Sequence, residues 1–454
     1  MPRIPTWLLR KAHAIDSFLP ALLAPCRDLE AARNELRWLR EHVEQVVKAG
    51  RARGKTIAKR PLLHRLVKER ASGKPLQYLL GSEYFGDLEI RCKPGVLIPR
   101  YELQESSWRI SWLTLHRADT AASVAHLVSL FENAPSLPPE LRILDLCTGT
   151  GCIPLLFKHD LSRARKDTSL RLLGVDISPK AIRLAKHNLQ RLQKHGQIRG
   201  HGNFDFIRAN VMVSPFVEQT EGTLSVKTAL NYAGMPSFWD ILISNPPYIS
   251  PSAFWKTTTR SVRGFEPKLA LVPPPKEQQS DTERGDMFYP RLLELAREVE
   301  AKVVLLEISD MEQAIRVSQR ALKLNIFDGV EIWREQPDAS ASATTTEDGI
   351  TVVGEGNARS VICWRGLGTS WLGKSEASSS AEDAVRLFRS SWGASQSNDR
   401  RPENATSGGL QHSLKPHFDL QASSGYSKTP FTQKNTNAGW FLDIMNRNNG
   451  KKIK

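Results

Sequence analysis

The stretch I-L-D-L-C-T-G-T-G-C-I, residues 143–153, decides the fold. An apolar run closes on Asp145, a turn containing Gly149 and Gly151 follows, and a second apolar pattern begins at Ile153. A strand that ends in a glycine-rich turn and re-enters as a helix is the opening unit of a βαβ fold, since glycine lets the backbone pass close to a ligand. The same rhythm continues on the C-terminal side. Residues 142–146, 171–175, 204–208, 240–244 and 302–308 are short apolar runs that predict strands. Residues 177–192 and 289–299 carry the spacing of helices. Alternation of this kind predicts an α/β chain with a parallel sheet covered on both faces. Residues 325–334 and 359–365 are expected to pair as a terminal antiparallel hairpin, joined by a polar loop at 336–347.

The turn also narrows the ligand. Pro154 stands where the third glycine of a dinucleotide fingerprint belongs, which argues against NAD. A second acid, Asp176, ends the next strand in G-V-D-I-S-P (174–179) and can accept hydrogen bonds from both ribose hydroxyls of a nucleoside. Asp145, Cys147, Thr148, Gly149, Thr150, Gly151 and Asp176 together predict a site for S-adenosylmethionine. A nucleotide-binding oxidoreductase and a degenerate, empty site are the other readings. Asn210, in F-I-R-A-N-V (206–211), stands where an acid or amide touches adenine; capping of a loop explains it equally well.

A more specific signal follows the strand at 239–244, which runs into Asn245-Pro246-Pro247-Tyr248. An amide or exocyclic amino group is a poor nucleophile because its lone pair is delocalised. The Asn245 side-chain oxygen and the Pro246 carbonyl can accept its two N–H groups and aim the nitrogen at a methyl sulfonium. Two prolines hold the backbone so that its carbonyl faces a site rather than a ladder, and Tyr248 supplies a flat face. A Pro-Pro turn that only stops a strand is the plain alternative. Glu266-Pro267 either shapes a substrate loop or makes a rigid turn, and Arg100 either reaches a carboxylate of the cofactor or pairs with Glu102.

Around this centre the chain has room for more. At 454 residues it exceeds one domain of roughly 100–200 residues. No window approaches the ~18 apolar residues of a membrane helix. Five scattered cysteines argue against a disulfide framework, and the 11 histidines show no metal-ligand spacing. The net charge is +15, and residues 1–60 hold 13 Lys and Arg against 6 Asp and Glu. Such a balance draws a protein to nucleic acid, ribonucleoprotein or acidic surfaces without choosing among them. Residues 1–15, basic and without an acid, have the character of a mitochondrial leader, or begin the first helix of the folded chain. Amphipathic patterns at 27–48 and 61–72 predict a helical domain over 16–80. A β-hairpin connector follows at 81–102, turning at Gly86-Asp87. The catalytic domain is expected over 103–368 and a disordered tail over 369–454, whose Ser, Asn, Gln and Gly lack the apolar content of a core. On that basis a cut after Arg365 should leave cofactor binding intact.

Several of these stretches resemble one family, the HemK/PrmC class of protein-glutamine N5-methyltransferases that modify peptide-chain release factors. The resemblance spans about residues 27–366. Its motifs are G-K-P-L-Q-Y-L-L-G (73–81), V-L-I-P-R-Y-E (96–102), the 143–153 turn, G-V-D-I-S-P-K-A (174–181), S-N-P-P-Y-I (244–249), F-E-P-K-L-A-L (265–271) and L-L-E-I-S (305–309). It implies a Rossmann-like class I methyltransferase domain, with S-adenosylmethionine as co-substrate and no metal. The turn at 147–151, Asp176, Asn210 and Asn245 would hold the cofactor. Asn245, Pro246, Pro247, Tyr248 and Glu266 would bind the glutamine of a Gly-Gly-Gln loop in a class I release factor, with Asn245, Pro246 and Tyr248 catalytic. The helical N-terminus resembles the bacterial and organellar branch, which implies a monomer in the mitochondrial matrix, the cytoplasm being the alternative. Departures are Tyr101, Leu103 and Gln104 in the segment after Pro99, Asn210 where an acid is usual, and Ser309 where glycine is usual. The insertions at 213–235 and 336–350 have no counterpart in a compact member.

Two other functions compete. A nucleic-acid N6-adenine or N4-cytosine methyltransferase would use the same Asn245–Tyr248 chemistry and exploit the positive charge. It would also need a base-recognition module larger than the N-terminal helices. A ribosome-associated binding protein on a retired scaffold is the non-enzymatic reading, opposed by the intact Asp145, Gly149, Gly151, Asp176 and Asn245.

Overall fold

The longest helix among the described residues is Leu29–Arg51, where Asp28 caps the first turn by accepting from the Ala31 N–H at 2.7 Å. Its apolar stripe, Leu36, Leu39, Val43 and Val47, is buried against helices Thr6–Ile15, Leu19–Cys26 and Lys59–Ala71. Glu35 and Arg70 close this bundle with paired bonds of 2.7 and 2.8 Å. The first of these helices falls on the segment with leader character. Ala12 is completely buried in the bundle core, with Leu8 and Leu9 packed beside it. Residues 3–99, 119–199, 203–213, 223–275, 278–339 and 344–374 are described in the computed structural model, all within a unit spanning residues 1–389.

The connector is the expected hairpin, β1 (Ser82–Phe85) against β2 (Leu88–Arg91). The central sheet holds nine strands: β3 (Glu140–Leu146), β4 (Ser169–Asp176), β5 (Phe204–Arg208), β6 (Ile241–Ser244), β7 (Val303–Glu307), β8 (Gly329–Gln336), β9 (Thr345–Glu347), β10 (Ile350–Val353) and β11 (Glu355–Trp364). Their order is β5-β4-β3-β6-β7-β11-β8-β10-β9. The first five are mutually parallel, and β11 runs antiparallel to both neighbours. Alternate residues serve opposite faces, as the strand period requires. Leu141 and Ile143 join the layer with helices Asp119–Glu132, Cys152–Ala164 and Pro179–Lys194. Leu144 and Leu146 join the layer with Val226–Tyr232, Phe288–Glu298 and Met311–Lys323.

Two expectations need correction. Residues 329–336 and 355–364 do pair antiparallel, but not as a hairpin. The chain between them folds into β9 and β10, and β10 lies parallel to β8 on its far side. Ile350 and Val352 make that excursion stable by reaching the core. The ordered chain also runs past 368. Leu367–Trp371 is a short helix, and Trp371 and Leu372 are each only 2 % exposed. The remainder of the predicted tail, from 375, lies outside the described residues.

Candidate active site

Strand order reverses between β3 and β6, which is where an open α/β sheet leaves a crevice beyond the carboxyl ends of its strands. Leu146 stands beside Ser244 in register, and the Ser244 hydroxyl donates to the Leu146 carbonyl at 2.9 Å. The turn at 147–151 and the segment Asn245–Tyr248 therefore leave adjacent strands at the same end of the sheet. The fold brings together the two motifs that were read separately.

The turn is tightly specified. The Thr148 N–H donates to the Val175 carbonyl at 3.0 Å, and the Gly149 N–H donates to Asp176 Oδ2 at 2.9 Å. Asp176 Oδ1 accepts from the Ser178 N–H at 2.8 Å. Each carboxylate oxygen keeps a further lone pair for a ligand hydroxyl. Gly149 has φ +56° with open space where a Cβ would stand, and Gly151 has φ +78° with Phe206 and Ala185 against it. Cys147 adopts φ +62°, a left-handed conformation that costs a non-glycine residue energy and is typical of functional turns. Burial, with Asp176 and Asp145 nearby, pushes its thiol well above the usual range, which disfavours the thiolate.

Asp145 is the most unusual group. It is fully buried, and neither oxygen has a hydrogen-bond partner among the described residues. Burial pushes its carboxyl up to about 8, Asp176 adds to the rise, and the nearby Thr148 hydroxyl offsets it only in part. Asp176 is also raised by burial, opposed by the Ser178 and Gly149 N–H groups. A buried carboxyl without a geometric hydrogen-bond partner is costly unless it is protonated or paired.

Beyond β6, Pro246 and Pro247 are buried while Asn245 and Tyr248 remain partly exposed. The Tyr248 hydroxyl donates to Glu307 Oε1 at 3.1 Å. Glu266 ties the end of the short helix Arg260–Phe265 to the connector, its Oε2 accepting from the Ile98 N–H at 3.1 Å. The Ser261 hydroxyl, donating to the Gly73 carbonyl at 2.6 Å, ties that helix to the helical domain as well. Asn210 caps its own loop, Oδ1 accepting from the Met212 N–H at 2.9 Å.

No family model matches the chain. Individual proteins do. The mitochondrial MRF1 N(5)-glutamine methyltransferase MTQ1 of Saccharomyces cerevisiae is 35% identical over 272 residues, 60% of this chain and 68% of that protein. The probable MRF1 mitochondrial N(5)-glutamine methyltransferase of Schizosaccharomyces pombe is 32% identical over 60% of this chain and 73% of its own. The chain belongs to this family of N(5)-glutamine methyltransferases. The release factor glutamine methyltransferase of Chlorobaculum tepidum is 31% identical over 46% of this chain and 55% of its own. Among solved structures, the N-terminal domain of human METTL16 in complex with SAH aligns at 14% identity and a TM-score of 0.35, covering 65% of this chain and 82% of that one.

For this N(5)-glutamine methyltransferase, several contributors to the site escaped the sequence reading. Asn188, 1 % exposed, accepts from the Arg91 N–H at 2.9 Å and donates to the Thr150 carbonyl at 2.9 Å, fastening the 147–151 turn to β2. Its signal was an amide on the apolar stripe of Ala181, Leu184 and Leu192. Ile177 is 38 % exposed beside Asp176 and leaves an apolar surface at the end of β4. Arg100 and the divergent positions Tyr101, Leu103 and Gln104 lie outside the described residues.

Proposed function

We propose that this enzyme transfers a methyl group from S-adenosylmethionine to the side-chain nitrogen of the glutamine in the Gly-Gly-Gln loop of a mitochondrial class I release factor. The observation that carries the reading is the adjacency of the 147–151 turn and Asn245–Tyr248 on neighbouring parallel strands. The names of the two yeast relatives support the mitochondrial release factor as substrate. The enzyme acts as a monomer in this reading, in the mitochondrial matrix.

When bound, the cofactor supplies an electrophilic methyl group on a sulfonium. Asp145 would hold its ammonium, Asp176 its ribose hydroxyls, and Ile177 its base. Asn245 Oδ1 and the Pro246 carbonyl accept the two N–H groups of the substrate amide, and Tyr248 covers its face. The nitrogen lone pair forms the new N–C bond, the S–C bond breaks with its electrons left on sulfur, and one nitrogen proton passes to water. Positioning supplies most of the acceleration, because the amide needs orientation more than deprotonation.

Labelled S-adenosylmethionine offered with either a release factor or nucleic acid tests the assignment. Label is expected in the glutamine, and label only in nucleic acid overturns it. Asn245→Ala should lower kcat by roughly 10²–10³, as for loss of one oriented hydrogen-bonding group. A near wild-type kcat would reduce this segment to a turn.

A further inference from the structure

Tyr248 is held from two sides by residues that neither the motif nor the cofactor turn contains. Its hydroxyl donates to Glu307 Oε1 at 3.1 Å, and its carbonyl accepts from Gln313 Nε2 at 3.3 Å. Glu307 is 8 % exposed and ends β7. Leu306 lies beside Ser244 in register, so Glu307 stands next to Asn245 at the carboxyl end of the sheet. Its second oxygen accepts from the Thr120 hydroxyl at 2.5 Å, which joins it to the helix Asp119–Glu132. Its carbonyl accepts from the Tyr289 hydroxyl at 2.9 Å, and Gln313 Oε1 lies 3.1 Å from the same hydroxyl. A cavity lined by Glu307, Asn245, Thr120, Ser123 and Ser360 opens directly beside these groups.

We infer that Glu307 is a positioning residue for methyl transfer: it fixes the Tyr248 ring through its hydroxyl and thereby sets the plane in which the substrate amide is presented. The inference rests on the methyltransferase reading above and deepens it. A tyrosine tethered only through its backbone is free to turn about its side-chain torsions. A buried carboxyl oxygen accepting from the phenol removes that freedom. Misplacement of a reacting group by about 1 Å is enough to cost about 10²-fold in rate. Gln313 fixes the backbone end of the same residue, so ring and chain are held independently.

The test combines kinetics with a spectroscopic readout on the full chain. Glu307→Ala should lower kcat about 10- to 100-fold, with KM for the release factor changing less and cofactor affinity unchanged. Glu307→Gln, whose amide oxygen still accepts, should recover most of the rate. Tyr248→Phe should resemble Glu307→Ala, and the double variant should be no worse than either single one, since both remove the same contact. Additive losses, or a Glu307→Ala rate within twofold of wild type, would overturn the inference. Protein labelled with carbon-13 at the tyrosine ζ position reads the contact without any substrate. The Tyr248 resonance, assigned by its absence in Tyr248→Phe, should move in Glu307→Ala and return toward wild type in Glu307→Gln. An unmoved resonance overturns the positioning role whatever the substrate, whereas a moved resonance in a protein that does not methylate release factor counts only against the substrate assignment.

Discussion

Asp145 makes the stability of the fold depend on pH, and under the proposed function it does the same for cofactor binding. Its carboxyl is pushed up to about 8 by burial, against an ordinary value near 4 in the unfolded chain. Between those two values the folded protein holds a proton that the unfolded chain has lost, so stability falls as pH rises from about 4 to about 8 and levels off above. Asp145→Asn lacks this titration. Its melting temperature should therefore gain on wild type as pH rises from 6 to 8, then run parallel. Cofactor binding should move the other way. A cationic ligand group pairs with the ionised carboxylate, so wild-type affinity should climb with pH toward 8, while Asp145→Asn should bind weakly at every pH. Calorimetric titrations and thermal melts across that range check both signs. A melting difference that does not change with pH would show that Asp145 is not protonated in the folded protein.

At the scale of elements, the 147–151 turn depends on the closeness of β4 to β5. A Cβ on Gly174 would stand 2.3 Å from Phe206 Cδ1 and 2.7 Å from Thr148 Oγ1. Gly174→Ala should therefore displace both the ring under the turn and Thr148 within it. Overpacking of this kind costs about 1–3 kcal/mol, and cofactor affinity should fall with it. Phe206→Leu should restore part of both in the double variant, as seen by melting and calorimetry; no rescue would mean that the clash is relieved elsewhere. What could be read from sequence follows the same division. The parallel strands were legible because each is a short apolar run closed by a turn, and Phe204–Arg208 lies where the pattern put it. Asp176 and Asn245 lie where the pattern put them, at the end of β4 and just past the end of β6, because the apolar runs stop there. The contacts of Glu307 and Gln313 with Tyr248 were not legible, although Glu307 stands in the quoted L-L-E-I-S stretch, since they span 59 and 65 residues of chain and exist only once β6, β7 and the helix at 311–323 are side by side. The β10 excursion escaped for a related reason. Ile350 and Val352 give a strand, but nothing local says that it pairs parallel to β8.

For the whole molecule, the return of the chain along β11 makes the C-terminal end of the described chain part of the site's support. Trp371 packs on Phe131 with ring centroids 6.1 Å apart, and Phe131 belongs to the same helix as Thr120, which holds Glu307. Lys374 adds a 2.5 Å ion pair with Glu331 and sits over the Trp364 ring. The expectation that a cut after Arg365 is harmless therefore gives way to its opposite. Such a cut removes Trp371 and Leu372, and emptying the site of one buried tryptophan alone costs about 3–5 kcal/mol. That is a large part of a stability that is typically about 5–15 kcal/mol. The truncated chain should melt well below wild type, and its methyl-transfer rate should fall before it unfolds, because the 119–132 helix loses its packing while Thr120 still has to hold Glu307. A cut after Lys374 removes only the segment rich in Ser, Asn, Gln and Gly, and should leave melting temperature and cofactor affinity unchanged. Melting and calorimetry on the two truncations separate the cases. If the chain ending at Arg365 melts and binds like the one ending at Lys374, the C-terminal turn contributes nothing to the core that supports the site.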